Sequence, residues 1–180
     1  MNKSEIRNKI LNTREQNKSK NSEIDFRDIT KILKKEKLYE KIIGGYYPYN
    51  HEIDVIKILD KFEKQNYKIS LPKIKNGSEM DFFIWSNKEP LTINKYGIPE
   101  PISNQIVEPN ILLLPLVAFD DKFNRIGYGG GFYDRYLKKI KKNKKVITIG
   151  LAYSFQKVKK IPTNNHDIKL DYVVTNKKKD

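Results

Sequence analysis

The sequence predicts an α/β fold, in which an open and largely parallel β-sheet lies between helices on both of its faces. Short apolar or β-prone runs alternate with segments whose apolar residues recur at helical spacing. The run from Ile111 to Val117 is apolar at almost every position, which is typical of a central strand covered on both faces. We therefore expect a three-layer, Rossmann-like architecture. At 180 residues, the chain should form a single domain over residues 1–180.

Four helices are predicted from apolar periodicity. The first carries Ile6 and Ile10, and its start has the capping-box pattern of Asn2 followed three residues later by Glu5. The second should end near Tyr39. The apolar residues that mark the other helices are Ile29, Ile32, Leu33 and Leu38, then Ile53, Ile56, Leu59 and Phe62, and finally those of Phe132 to Ile140.

Strands are predicted where β-prone residues cluster, and we expect ligands at the carboxyl ends of the parallel ones. The predicted strands are Ile42 to Tyr47, Lys68 to Leu71, Asp81 to Trp85, Ile111 to Val117, Val146 to Ala152 and Tyr172 to Thr175. Prolines and a glycine punctuate the segment from Pro90 to Pro101, which is predicted to be irregular. Because such a long loop is uncommon in a compact domain, we expect it to line a site.

The composition excludes several classes of protein. Without cysteine, the chain has no disulfide, thiolate zinc site or cysteine nucleophile, and two histidines are too few for a histidine-built metal site. No apolar stretch approaches the roughly 20 residues of a membrane span, and no signal-peptide core follows the first residues, so a cytoplasmic protein without membrane contact is expected.

The net charge of +14 leaves three interpretations open: nucleic-acid binding, an anionic substrate, or a solvated lysine-rich surface. Most of the excess is lysine scattered along predicted helix faces and in the tail Lys177 to Lys179, which favours the solvated surface. No RNP, KH or zinc pattern is present, so no specific nucleic-acid partner is expected.

A glycine-rich segment is the most informative motif. Four of the nine glycines fall within Asn124 to Asp134, directly before a predicted helix. Glycines that turn backbone amides inward, next to a helix amino terminus, can hold phosphate. Neither the Walker pattern nor the dinucleotide fingerprint is present, so a tight strand-to-helix turn without a ligand is the alternative.

The segment Leu114 to Asp120, together with the glycine-rich segment, resembles the signature of the 5-formyltetrahydrofolate cyclo-ligase family. The resemblance spans nearly the whole chain. Its further matching segments are Lys3 to Arg7, Tyr47 to Asp54, Leu71-Pro72, Gly97 to Pro101 and His166-Asp167.

The resemblance implies conversion of 5-formyltetrahydrofolate, with or without a polyglutamate tail, to 5,10-methenyltetrahydrofolate, with ATP split to ADP and phosphate. In the family, the γ-phosphoryl group is thought to pass to the formyl oxygen, and a neighbouring folate nitrogen then closes the ring and expels phosphate. Such chemistry needs phosphate donors, a divalent cation (Mg²⁺) and close positioning rather than a covalent nucleophile.

The resemblance also implies roles for individual residues. The ATP contacts are Lys3, Ser4, Glu5, Ile6 and Arg7, with Arg125, Ile126, Gly127, Tyr128, Gly129, Gly130, Gly131, Phe132 and Tyr133. The substrate contacts are Tyr47, Glu52 and Tyr128, the catalytic residues are Arg125, Tyr133 and Asp134, and the magnesium ligands are Asp134 and Asp167. Which of Lys3, Arg7 and Arg14 contacts the phosphates stays open at this point.

Simpler interpretations exist for several of these residues. Asp134 fits a first-turn helix acid, Asp167 a surface turn and Glu52 a helix cap. Trp85, which ends a strand pattern, is expected in the core rather than at a ligand. For the whole protein, we expect a monomer, and the alternatives are a paralogue that acts on another formamide and, less favoured, a basic nucleic-acid-binding protein.

Overall fold

The computed structural model describes residues 1–17, 23–38, 41–75 and 77–176. Within these ranges the chain forms the helices α1 (Lys3–Gln16), α2 (Phe26–Glu36), α3 (Ile56–Glu63) and α4 (Phe132–Ile140). The capping box is present, since the Asn2 side chain accepts from the Glu5 amide and the Glu5 carboxylate accepts from the Asn2 amide. The predicted helix end near Tyr39 and the tail Lys177 to Lys179 lie outside the described residues.

Eleven strands are present in the same ranges. They are β1 (Ile42–Gly44), β2 (Lys68–Ile74), β3 (Met80–Ile84), β4 (Leu91–Ile93), β5 (Pro99–Pro101), β6 (Ile106–Val107), β7 (Ile111–Pro115), β8 (Ala118–Phe119), β9 (Arg125–Ile126), β10 (Ile147–Ala152) and β11 (Tyr172–Thr175). Seven strands form the main sheet in the order β11-β10-β7-β1-β2-β3-β6. The five strands from β11 to β2 pair in parallel, whereas β3 and β6 add an antiparallel edge.

Helices cover both faces of this sheet, which confirms the predicted α/β class. Successive side chains of a strand point to opposite faces, and β7 shows the consequence. Leu113 belongs to the apolar cluster that includes α2 and α3, while Leu112 and Leu114 belong to the cluster that includes α4. All three side chains are fully buried, as the near-continuous apolar run predicts.

The segment from Pro90 to Pro101 contains regular structure, so the prediction of an irregular loop is wrong in this respect. Strands β4 and β5 form a two-stranded antiparallel hairpin. Glu100 is 7% exposed, and its Oε1 accepts from the Ile74 amide (2.9 Å) and from Asn94 Nδ2 (2.8 Å). A buried carboxylate with two donors therefore ties the hairpin to β2.

Helix α1 packs at the carboxyl end of the main sheet. Ile6 and Ile10 contact a small apolar cluster that contains Val117, Ala118 and Ile126. The β8–β9 hairpin that supplies these partners leads directly into the glycine-rich segment, so α1 lies beside that segment. None of the described helices combines the length and apolar character needed to cross a membrane.

Candidate active site

A cavity of about 1110 Å³ opens where β1 and β7 end. Distant parts of the chain line it, and they include the start of α1, the turn that carries Glu52, the β4–β5 hairpin, the segment from Arg125 to Lys138 and the loop with Asp167. Its position agrees with the rule that ligands bind at the carboxyl ends of parallel strands. The volume exceeds that of most sites for one small ligand, so there is room for two.

The glycine-rich segment forms one wall of this cavity and runs into the amino terminus of α4. Gly129 (φ +105°) and Gly131 (φ +66°) adopt backbone conformations that L-residues rarely take. Gly131 is the N-cap of α4 and provides no side-chain cap. The first amides of α4 therefore have no side-chain acceptor at the cap, which is an arrangement that suits an anion.

Among the cations that line the cavity, Lys3 and Arg7 come from α1 and Arg125 comes from β9. Lys3 Nζ lies 2.6 Å from Asp167 Oδ1, and Arg7 Nε donates to the Gly127 carbonyl at 2.8 Å. The Arg125 side chain is 7% exposed and donates to Asp134 Oδ1 at 2.9 Å and to the Ile168 carbonyl. Lys3, Arg7 and Arg125 all line the cavity, so they are placed to meet a negatively charged ligand.

Two carboxylates on the cavity wall could bind a divalent cation, and one of them, Asp167, is ion-paired with Lys3. Asp134 uses Oδ1 to accept from Arg125 and from the Ile168 amide (3.1 Å), and within the described residues its Oδ2 has no hydrogen-bond partner. Partial burial would raise the pKa of Asp167, but hydrogen bonds from Lys3 and the Asn164 amide outweigh it and hold the pKa below its ordinary value. Both groups are thus hard oxygen ligands that Mg²⁺ accepts.

The described residues contain no cluster of three or more histidine, cysteine or acidic side chains that could hold a metal unaided. A divalent ion in this cavity would therefore need ligand phosphates and water beside Asp134 and Asp167. Magnesium is commonly bound in this way, through one or two carboxylates and substrate phosphates. The residues present fit such an ion.

Glu52 also lines the cavity and is 8% exposed. Its Oε2 accepts from the Tyr49 amide at 2.9 Å, within a tight turn whose Asn50 and His51 both have positive φ. Burial raises the pKa of Glu52 from 4.5 to about 7, while the Tyr49 amide, the Arg14 charge and hydrogen bonding with Tyr128 oppose the increase. The carboxylate therefore titrates near neutral pH.

The capping interpretation of Glu52 is wrong. Helix α3 begins after Val55, which makes no side-chain cap, and the Ile56 amide is bound by Asp54 Oδ1 at 2.9 Å. Glu52 instead lies in the turn that precedes Asp54. Its burial at a cavity wall is better explained by a ligand than by helix stability.

Aromatic side chains line the space between Glu52 and the glycine-rich segment. Tyr47 and Tyr128 are 36% and 41% exposed, and burial followed by the Glu52 charge raises the pKa of Tyr128 to about 12. The same two causes raise the pKa of Tyr133 still further, so its hydroxyl stays a proton donor. Flat aromatic walls with polar tips suit a planar heterocycle. Trp85 is 4% exposed and packs in the core, as expected.

The structure brings together most, but not all, of the residues that the sequence singles out. Lys3, Arg7, Tyr47, Glu52, Asp167 and every residue from Arg125 to Asp134 line the one cavity. Ser4 and Glu5 are exposed beside it and Ile6 packs in the core, so an ATP contact by these three stays a prediction. Arg14 is buried behind the wall, which leaves Lys3 and Arg7 as the amino-terminal cations that face a ligand.

Sequence reasoning missed Tyr46, Tyr49 and the hairpin residue Tyr96, all of which line the cavity. Tyr46 is 3% exposed, and its hydroxyl donates to the Ile53 carbonyl at 2.9 Å. The signal for Tyr46 and Tyr49 was their position directly after a parallel strand, where site residues are expected. Tyr96 had no comparable signal beyond the length of its loop.

We expect Glu52→Gln to stabilise the protein at pH 8 but hardly at pH 5. Because the folded pKa lies above the unfolded value, the native state keeps a proton between pH 4.5 and about 7 that the unfolded chain has lost, and stability falls as pH rises through this window. Because glutamine does not ionise, the variant does not lose this stability, and its free energy of unfolding should exceed that of the wild type by on the order of 3 kcal/mol above pH 7. Urea unfolding of both proteins at the two pH values measures it, and an equal difference at both would contradict the assignment.

Fold and cavity together define an α/β enzyme with an anion-binding, glycine-rich wall at the carboxyl ends of its parallel strands. Comparison with protein families makes this more specific. The model of the 5-formyltetrahydrofolate cyclo-ligase family matches residues 1–176, and the chain belongs to this family.

Individual relatives agree with the family match. The chain is 37% identical to the 5-formyltetrahydrofolate cyclo-ligase of Haemophilus influenzae over 142 residues, which cover 75% of each chain. It superimposes on the 5,10-methenyltetrahydrofolate synthetase of Mycoplasma pneumoniae with a TM-score of 0.70 and 28% identity, covering 98% of this chain and 99% of that one. It superimposes on the 5,10-methenyltetrahydrofolate synthetase of Aquifex aeolicus with a TM-score of 0.71 and 30% identity, covering 97% of this chain and 90% of that one.

Proposed function

We propose that the protein converts 5-formyltetrahydrofolate to 5,10-methenyltetrahydrofolate in a reaction that splits ATP to ADP and phosphate. One observation carries the proposal: an anion-binding wall and a buried carboxylate with aromatic neighbours face the same cavity. The first suits a nucleotide phosphate chain, and the second suits a pterin, whose ring N–H groups need an acceptor. The family membership of the chain supports the same reaction.

The proposed chemistry starts from a poor electrophile, because the formamide nitrogen delocalises its lone pair into the carbonyl group. Transfer of the γ-phosphoryl group to the formyl oxygen forms an O–P bond and breaks the bond to ADP. The neighbouring folate nitrogen then attacks the formyl carbon and loses its proton, and the C–O bond breaks to release phosphate, which can take up that proton. Neither step needs a protein nucleophile, so the protein acts by position and charge.

The role proposed for each residue follows from its position in the cavity. Lys3, Arg7 and Arg125 provide positive charge where negative charge develops on the phosphoryl oxygens, and the α4 amides add donors from fixed backbone. Arg125 is held in place by Asp134 and the Ile168 carbonyl, so its orientation is set before the ligand arrives. Tyr133, whose hydroxyl keeps its proton, is a further donor on the same wall.

Asp134 and Asp167 would hold Mg²⁺, which when bound neutralises charge on the ATP phosphates. The folate is bound by Glu52 and the tyrosines at positions 47 and 128. Ionised Glu52 accepts hydrogen bonds from the pterin N–H groups, so folate affinity should weaken as pH falls below about 7.

We further propose that residues 1–180 form one domain and that the protein acts as a cytoplasmic monomer without a specific nucleic-acid partner. The lack of cysteine is compatible with a reducing compartment. The cationic side chains at the cavity would also favour the extra carboxylates of a polyglutamate tail.

The reaction is tested by following the methenyltetrahydrofolate absorbance band with purified protein, 5-formyltetrahydrofolate and Mg²⁺, with and without ATP. We expect the band to grow only when ATP is present, with one ADP formed per product. A flat trace from folded protein that still binds ATP would reject this substrate and direct attention to other formamides.

A further inference from the structure

Arg14 is a buried charged residue whose burial the proposed reaction does not explain. It lies on α1 four residues beyond Ile10, on the stripe that packs into the core, and is 2% exposed. Helical spacing predicts an apolar residue at this position. An arginine here must give up its hydration, so it needs acceptors nearby and a reason to be buried.

Its acceptors come from three separate parts of the chain. Nη1 donates to the Tyr128 hydroxyl at 2.8 Å and lies 3.5 Å from the Asn50 carbonyl, while Nη2 donates to the Leu116 carbonyl. Nε has no partner within the described residues. Arg14 thus joins α1 to the glycine-rich segment, to the turn that carries Glu52 and to the end of β7, although it does not itself line the cavity.

We infer that Arg14 is a positioning residue for the folate half of the site, which holds Tyr128 and the turn 49–52 in place and provides the counter-charge for Glu52. The inference rests on the proposed function. Tyr128 connects Arg14 to the turn 49–52. Its hydroxyl accepts the Arg14 hydrogen bond, and its ring packs edge-on against Tyr49 with centroids 6.0 Å apart. The Tyr49 amide in turn binds Glu52.

Charge supports the same role. The titratable groups that act on Glu52 come from several elements, and they are Arg14, Tyr46, Tyr128, Tyr133 and Tyr153. Of these, only Arg14 is charged at neutral pH, because burial is the main cause that raises the pKa of each of the four tyrosines. Removing Arg14 should therefore move the titration of Glu52 to higher pH.

The decisive experiment compares Arg14→Met with Arg14→Lys in the full chain. The Glu52 carboxyl is titrated by carbon NMR on glutamate-labelled protein, and Glu52→Gln identifies its resonance. We expect the midpoint to rise by about one pH unit in Arg14→Met and to stay near wild type in Arg14→Lys, which keeps the charge. An unchanged midpoint in Arg14→Met would overturn the inference.

Kinetics provide the second readout. Both variants should raise the KM for 5-formyltetrahydrofolate by at least about tenfold and the KM for ATP by less than about threefold, since a lysine cannot reproduce the three-way contact. Tyr128→Phe, which removes one acceptor, should give a similar folate effect that does not multiply with that of Arg14→Lys. Equal effects on both substrates, or independent effects of the two changes, would contradict a positioning role in the folate half.

Ile10→Ala is the matched structural control, because Ile10 lies on the same stripe of α1 and packs in the apolar cluster with Val117 and Ala118. It should lower Tm and leave the Glu52 midpoint unchanged. If Arg14→Met fails to fold, the KM values of Arg14→Lys and Tyr128→Phe, alone and combined, decide the inference. The NMR titration needs no turnover, so a wild-type protein without activity would reject the proposed reaction while the Arg14 test still gives its own answer.

Discussion

Asp134→Asn should lower kcat by about 10²- to 10³-fold and raise the Mg²⁺ concentration needed for half-maximal activity. The asparagine oxygen can still accept from Arg125 and from the Ile168 amide, so the local hydrogen bonds survive and the negative charge is lost. Turnover of 5-formyltetrahydrofolate measured across a Mg²⁺ titration gives both kcat and the Mg²⁺ concentration for half-maximal activity. Circular dichroism and Tm establish that the variant is folded.

Asp28→Asn is the control for this experiment. Asp28 is also an acidic residue in the first turn of a helix, and it pairs only with the exposed Lys31 at 3.6 Å among the described residues. Loss of its interaction with the helix dipole should reduce stability by roughly 0.3–1 kcal/mol and leave turnover unchanged. If both variants behave alike, Asp134 is a helix-start residue and not part of the catalytic machinery.

Gly129→Val should reduce turnover by about 10²-fold or more, chiefly through a higher KM for ATP. A β-branched residue rarely adopts φ +105°, so the substitution strains this wall of the cavity by about 1–3 kcal/mol or forces it into another conformation. The added Cβ would be 3.5 Å from Arg7 Nη2, an ordinary contact, so backbone strain and not a clash is the cause. Steady-state kinetics and ATP binding by calorimetry measure the effect.

Gly97→Val provides a matched backbone strain at a glycine that does not itself line the cavity. Gly97 has φ +76° in the turn between β4 and β5, and an added Cβ would meet nothing within 4 Å. We expect a similar loss of stability and an ATP KM within about threefold of wild type. Wild-type ATP kinetics in Gly129→Val would show that the conformation of this glycine is not needed for nucleotide binding.

The sequence predicts well those elements in which the spacing of apolar residues matches the side chains that the fold buries. The capping box of α1 and the apolar run of β7 depend on neighbours within a few residues, so sequence order contains the information. The β4–β5 hairpin was missed because Pro99 and Pro101 discourage a strand prediction. Prolines are tolerated there because a two-stranded hairpin consists of edge strands, where an amide donor is not always required.

The same distinction applies to the site. The glycine-rich wall is formed by consecutive residues, so it can be recognised in the sequence as a motif. The role of Arg14 depends on Leu116 and Tyr128, which are 102 and 114 residues away, so no local pattern reveals it. Its one signal was an arginine at a position where the stripe of Ile6 and Ile10 calls for an apolar side chain.

The ion pair between Lys3 and Asp167 has a consequence for the synthesis of the protein. Its partners are 164 residues apart, so the ribosome makes Lys3 long before Asp167. Strand β10, the neighbour of β7, is also made late, so the growing chain exposes a sheet edge before β10 is complete and an incomplete cavity before Asp167 is added. A ligand of this cavity would therefore stabilise the fold only once the chain has been made as far as Asp167.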